Sequence, residues 1–191
     1  MAVSVVAICN LALQKVGDAR ITSLSDDSPR ARSLNASYEI IRDRELRANK
    51  WNFAKKRATL APSAVEPDFD FDYAFPLPTD CLRLLPPNTP SLDWQTESHE
   101  DRTSILTNDG DTLEIQYIAR VTDPNQFDVL FVEMLACKLA LHLCEDRTQS
   151  STKKADLVQE YKELRREARL VNAFENSSEE APEDSWLLAR R

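Results

Sequence analysis

Apolar residues return at three- and four-residue steps from Val5 to Val16 (Val5, Ile8, Cys9, Ala12, Leu13, Val16), the spacing of one buried helical stripe. Gly17 then supplies a natural helix stop. Ile21 and Leu24 read as core plugs in a short connector. Ser28-Pro29 predicts the next helix start, because the serine can cap free amides and proline fits the first turn. This second helix is expected to reach about Asn49. Its stripe comprises Ala31, Leu34, Tyr38, Ile41 and Glu45/Leu46, with the arginines on its other faces.

The period changes between Trp51 and Val121. Seven of the ten prolines fall between Pro62 and Pro90, which prevents long helices. Phe69, Phe71, Tyr73 and Phe75 alternate with Asp70, Asp72 and Ala74, a period of two that predicts a half-buried strand. Cys81–Leu85 predicts another. Thr103–Thr107, the turn Asn108-Asp109-Gly110-Asp111 and Thr112–Ile118 read as a hairpin.

Thr122-Asp123-Pro124 predicts a third helix, so rich in apolar positions from Phe127 to His142 that it should lie centrally. After a polar break at Gln149–Thr152, Leu157, Tyr161, Leu164, Ala168 and Val171 mark a last helix over Lys153–Phe174. Four wide apolar stripes are buried most simply by packing together. The expected fold class is therefore α+β: an antiparallel helical bundle of about four helices from both chain ends, with an inserted small β domain. The expected domains are a discontinuous helical bundle (1–50 and 122–174), an inserted β domain (51–121) and a flexible C-terminal arm (175–191). That arm begins with acidic ENSSEEAPED and closes with SWLLARR, whose Trp186, Leu187 and Leu188 would be costly to leave in water.

Composition narrows the chemistry. Two glycines in 191 residues exclude the glycine-rich loops that cradle phosphates, so neither a P-loop nor a dinucleotide fingerprint is present. No apolar run approaches the ~20 residues that span a bilayer. The apolar start has no leading positive charge and carries Lys15, so it reads as a mature helix rather than a signal sequence. Cys9, Cys81, Cys137 and Cys144 lack the paired spacing of zinc ligands and read as buried free thiols. Neither Asp68/Asp70/Asp72 nor Asp109-Gly110-Asp111 follows a calcium-loop pattern, and Asp26-Asp27 precedes a helix N-terminus, where negative charge is favoured. His99 and His142 have no nucleophile context. No catalytic, metal or cofactor site is expected.

Charge is unevenly spread. Arg30–Arg57 holds nine Lys/Arg against Glu39, Asp43 and Glu45, a local +6 in a chain of formal charge −8. Three readings of this block compete: contacts to another subunit or partner, a solvated helix face, and direct DNA binding. Interruption by Asp43 and Glu45 and the net negative charge weigh against DNA. The candidate assembly residues are Arg42, Arg44, Arg47, Lys50, Lys55, Lys56 and Arg57, joined by Trp186, Leu187 and Leu188. Trp51 and Phe53 suit a hinge core between helix and sheet better than a base-stacking platform.

The segments ICNLALQKVG (8–17), ITSLSDDSPRA (21–31), RDRELRANKWNFAKKRATL (42–60), PTDCLRLL (78–85) and YIARVTDPNQFDVLFVEMLACKLALHL (117–143), with the closing WLLAR, occur in this order over nearly the whole chain. Together they resemble the tail tubular protein A family of short-tailed bacteriophages, the head-to-tail adaptors. A more distant likeness is to the head-tail connectors of long-tailed phages. The resemblance implies synthesis in the host cytoplasm, a place in the virion neck or tail, and a dodecameric ring. That ring joins the portal above to a tail nozzle below, and DNA passes through it without sequence-specific binding. A polysaccharide-hydrolysing tail enzyme and a DNA-binding packaging module are the alternatives.

Overall fold

The computed structural model describes residues 3–86, 92–110, 112–148 and 150–175. Two helices precede the strands and two follow them: α1 (Val5–Val16), α2 (Pro29–Ala48), β1 (Lys55–Leu60), β2 (Tyr73–Pro76), β3 (Cys81–Leu84), β4 (Trp94–His99), β5 (Arg102–Thr107), β6 (Leu113–Ala119), α3 (Val129–Thr148) and α4 (Ser151–Phe174).

Local chemistry sets the helix ends. The Ser4 hydroxyl accepts from the Ala7 amide at 3.1 Å, and Gly17, at φ +80°, turns the chain out of α1 in the left-handed region. Ser28 caps α2 through the Ala31 amide at 3.3 Å, with Pro29 in the first turn. The Thr122-Asp123-Pro124 signal yields only one 3-10 turn, Pro124–Gln126, capped by Asp123. Helix α3 starts later, where the Asp128 carboxylate accepts from the amides of Leu130 (2.8 Å) and Phe131 (3.3 Å). Phe127, buried between the two caps, anchors the break.

The strands form two antiparallel three-stranded sheets, ordered β1-β6-β3 and β2-β5-β4. They pack face to face. Leu113, Ile115, Tyr117 and Ala119 of β6 meet Phe75 and Ile105 of the other sheet in one apolar cluster. The opposite face of the first sheet serves a second core, where Ile118 and Leu85 join the helices. Helix α3 is the centre of that core, with Phe131, Met134, Leu135, Leu139 and Leu143 fully buried and α1, α2 and α4 packed around it.

This arrangement corrects the expected bundle with an inserted β domain. The helices are split by six strands in two sheets, and they do not bury their stripes solely on one another. Helix α2 lies against β3 and β6, and one continuous core runs from α1 through α3 into the first sheet. The architecture is layered: helices, sheet, sheet. The physical reason is that β6 is apolar on both faces at Tyr117, Ile118 and Ala119, so the first sheet must be covered on both sides.

Two strand expectations also change. Thr103–Thr107 and Thr112–Ile118 are not a hairpin, because β5 and β6 lie in different sheets and neither pairs with the other. The hairpin is β4–β5, closed by Glu100 (φ +49°) and Asp101 (φ +60°), the positive pair that a type I′ turn requires. Phe69 and Phe71 are outside any strand. Asp70 adopts φ +69°, the Phe71 amide donates to the Phe69 carbonyl at 2.9 Å, and Phe69 is 76% exposed.

Candidate assembly surface

Folding disperses the basic block. Arg30 lies 3.7 Å from Asp18, Arg32 bonds Asp27 at 2.5 Å, and Lys56 bonds Asp80 at 2.8 Å. Arg42 departs furthest from expectation: it is 4% exposed and cannot serve as a surface contact. Position 42 follows Ile41 and lies one turn from Tyr38, so the helical period carries it to the edge of the buried stripe. Its guanidinium bonds Asp43 at 2.8 Å and sits 5.8 Å from the centre of the Tyr38 ring. Asp43 in turn accepts from Arg120 at 2.7 Å, tying α2 to the chain leaving β6.

Arg44, Arg47 and Lys50 are exposed along the end of α2, near Ile40, an apolar side chain left 71% in solvent. Arg47 also donates to the Leu82 carbonyl, which fixes this end of the helix on β3. Lys55, Lys56 and Arg57 occupy β1, a strand that the sequence pattern did not reveal. Its outer edge pairs with no strand among the described residues. Arg57 and Thr59 line a shallow depression of about 300 Å³ with Glu114 and Gln116. Trp186, Leu187 and Leu188 lie outside the described residues.

Asp80 organises the far side of the first sheet. It accepts from Lys56 at 2.8 Å and from the Tyr117 hydroxyl at 3.1 Å. Partial burial opposes its ionisation, but these two hydrogen bonds prevail and hold the carboxyl below its ordinary range. Tyr117 is pushed up to about 12, by burial first and then by the Asp80 charge.

Trp51 and Phe53 sit at the turn from α2 into β1. The Trp51 indole donates to the Glu45 carbonyl at 2.9 Å and meets Phe131 edge-on at 5.2 Å, while Phe53 packs on Phe127 and Phe131. Asn172 of α4 clamps the same corner. Its side chain accepts from the Asn52 amide at 2.8 Å and donates to the Lys50 carbonyl at 3.0 Å.

Burial raises the Cys9 thiol to about 12 and the Cys137 thiol to about 11, so neither is a ready nucleophile. His99 lies 3.0 Å from the Val65 carbonyl, and His142 is exposed on α3 rather than buried. Among the described residues no group of three or more His, Cys, Asp or Glu could hold a metal. No helix among them is long and apolar enough to cross a membrane.

Sequence reading missed a second basic feature. Lys162, Arg165, Arg166 and Arg169 run along one flank of α4, lining a groove of about 490 Å³ with Tyr161, Leu170 and Ala173. The signal was the i, i+3, i+4, i+7 spacing of the four cations. The acids gather elsewhere. Residues 61–112 carry eleven carboxylates and two arginines, net −9, with Glu66, Asp68, Asp93, Glu97 and Asp101 exposed around the β2-β5-β4 sheet.

The chain matches no protein-family model and no curated protein. Its surfaces therefore carry the functional argument.

Proposed function

We propose that this chain is a structural subunit of an oligomeric ring, a head-to-tail adaptor that joins a bacteriophage portal to the tail. In this reading it resides in the virion and forms part of the DNA channel. One observation carries the proposal: the two signs of charge occupy different elements. Carboxylates surround the outer sheet, whereas Arg44, Arg47 and Lys50 project from the far end of α2. A head-to-tail ring needs two unlike patches, because each copy offers one to the next copy's other. Complementary potential would steer that encounter and fix its register.

The resembling segments also support the reading, since they coincide with the framework. Segment 42–60 spans the Arg42–Asp43–Arg120 link, the Trp51 corner and β1, and segment 117–143 contributes Arg120, Phe127 and Phe131. The work of such a subunit is assembly rather than bond chemistry.

Electron microscopy of the protein mixed with its cognate portal tests the proposal. Closed rings are expected with the wild-type chain. The variant Arg44→Glu/Lys50→Glu, with Arg42 and the Arg47–Leu82 contact intact, should remain folded by circular dichroism yet form none. A wild-type chain that never closes a ring on its portal would reject the adaptor reading. A variant that assembles normally would reject this surface.

A further inference from the structure

Phe69 is presented to solvent on an ordered turn. Its segment, residues 61–72, is tied to the β2-β5-β4 sheet. The Ser63 amide donates to the Ala74 carbonyl at 2.7 Å, and the Asp72 amide to the Asn108 side chain at 2.9 Å. The Ser63 hydroxyl reaches Glu100 at 2.8 Å. The bond from the Phe71 amide to the Phe69 carbonyl closes over Asp70 at φ +69°, a γ-turn of the rare, strained kind. A phenyl ring held out on such a turn can be buried on docking with little ordering cost. Glu66, Asp68, Asp70 and Asp72 accompany it, and residues 61–72 contain no lysine or arginine.

The α4 groove offers the complement. Lys162, Arg165, Arg166 and Arg169 stand there beside Leu170 and Ala173, two exposed apolar side chains. The groove adjoins the α2 end proposed above for assembly. Tyr161 in its wall donates to Glu45 at 2.8 Å, and Asn172 donates to the Lys50 carbonyl at 3.0 Å. Loop and groove of one copy do not meet. Strand β1 has six residues and carries the chain roughly 17 Å from the Asn52–Asn172 corner toward the loop. The loop's hydrogen bonds then keep it on the outer sheet, whereas α4 packs on α3.

We propose that Phe69 of one copy seats in the α4 groove of the next, with Asp68 and its neighbouring carboxylates facing Lys162, Arg166 and Arg169. This inference rests on the ring reading and names the contact between copies. Loop and groove are different surfaces, so every copy gives one and receives one, as a heterologous ring contact requires. Apolar burial at the centre supplies affinity, and the surrounding charges steer the encounter and fix its register. A nucleic-acid backbone would meet the cations but leave Phe69 and Leu170 in water.

Ring formation on the cognate portal, counted by electron microscopy over a concentration series, tests the contact. Phe69→Ala should stay folded by circular dichroism, because the side chain is exposed, and should need about tenfold more protein for the same yield of rings. Glu66→Lys/Asp68→Lys, which spares the positive-φ Asp70, should form none, and neither should Lys162→Glu/Arg166→Glu/Arg169→Glu. A chain carrying both reversals should assemble again. So should an equimolar mixture of the two single reversals, in which each copy's loop suits the other's groove. The loop variants lie outside every strand and decide the matter even if the groove variant misfolds. An unchanged yield for Phe69→Ala overturns this contact and leaves the adaptor reading standing. A wild-type chain that forms no rings overturns the adaptor reading, and the contact with it. Rescue by the doubly reversed chain but not by the mixture also overturns the contact, because the groove's partner would then lie within its own subunit. A groove variant that assembles normally but loses affinity for duplex DNA does the same and makes the groove a nucleic-acid surface.

Discussion

Tyr161 of α4 donates its phenolic hydrogen to the carboxylate of Glu45 on α2 across 2.8 Å, and both side chains are buried. Burial, and then the Glu45 charge, raises Tyr161 above the ordinary phenol value, so the donor keeps its proton at any moderate pH. Tyr161→Phe leaves a buried carboxylate oxygen without this donor and is expected to cost about 2 kcal/mol in urea unfolding. Glu45→Gln keeps an acceptor for the hydroxyl and should cost less. Equal, near-zero losses in both variants would show that the contact is dispensable.

Arg42 and Arg44 are two residues apart on α2, but substitution should affect them very differently. Arg42→Glu would place a buried carboxylate beside the half-buried Asp43 and leave Arg120 as the only described cation answering the pair, so a loss of about 3–5 kcal/mol is expected. Arg44→Glu, on the solvent side, should stay within about 0.5 kcal/mol of wild type. Thermal melts of the two single variants decide this. A mild effect of Arg42→Glu would restore that residue as a candidate surface contact.

The contrast between those two arginines also marks how far the sequence could be read. Helix stripes and several helix ends were legible because their information is local: Gly17, Ser28 and Pro29 act within a turn of themselves. Arg42 was misplaced because an arginine beside a helical stripe reads as surface until Asp43 and Arg120 are seen to close on it. Strand pairing was less legible still. β5 and β6 are both apolar enough to neighbour each other, and only the tertiary core assigns them to separate sheets. The true hairpin turn, Glu100-Asp101, lacks the Asn-Gly or Asp-Gly signature although both residues take positive φ. β1 was hidden because it opens with Lys55-Lys56-Arg57 and shows no alternation of apolar and polar residues along its length.

Asp80 should make stability depend on acid in a defined direction. Hydrogen bonds from Lys56 and Tyr117 hold its folded-state pKa below the unfolded value. Its contribution is therefore complete above the ordinary carboxylate range and fades as pH falls through it. Asp80→Asn is expected to lower stability by about 1 kcal/mol near neutral pH, a modest figure because the side chain is a third exposed. Below the folded-state pKa, wild type and variant should converge. A gap that stays constant from neutral pH into strong acid would mean that Asp80 acts through packing rather than charge.

The cations of β1 protect an open sheet edge. Among the described residues β1 pairs only with β6, so its outer backbone groups could accept a strand from another molecule. Lysine and arginine on such an edge raise the desolvation and repulsion cost of that pairing. Lys55→Thr/Arg57→Thr removes two charges that have no ion pair among the described residues, leaves Lys56 bound to Asp80, and introduces residues that favour strands. Unfolding free energy should change by no more than about 0.5 kcal/mol, because neither side chain is buried. Light scattering at matched concentration should nevertheless rise with time in the variant and stay flat in wild type. If both remain flat, repulsion at this edge is not what keeps the molecules apart, and Lys55 and Arg57 must be explained by what they bind.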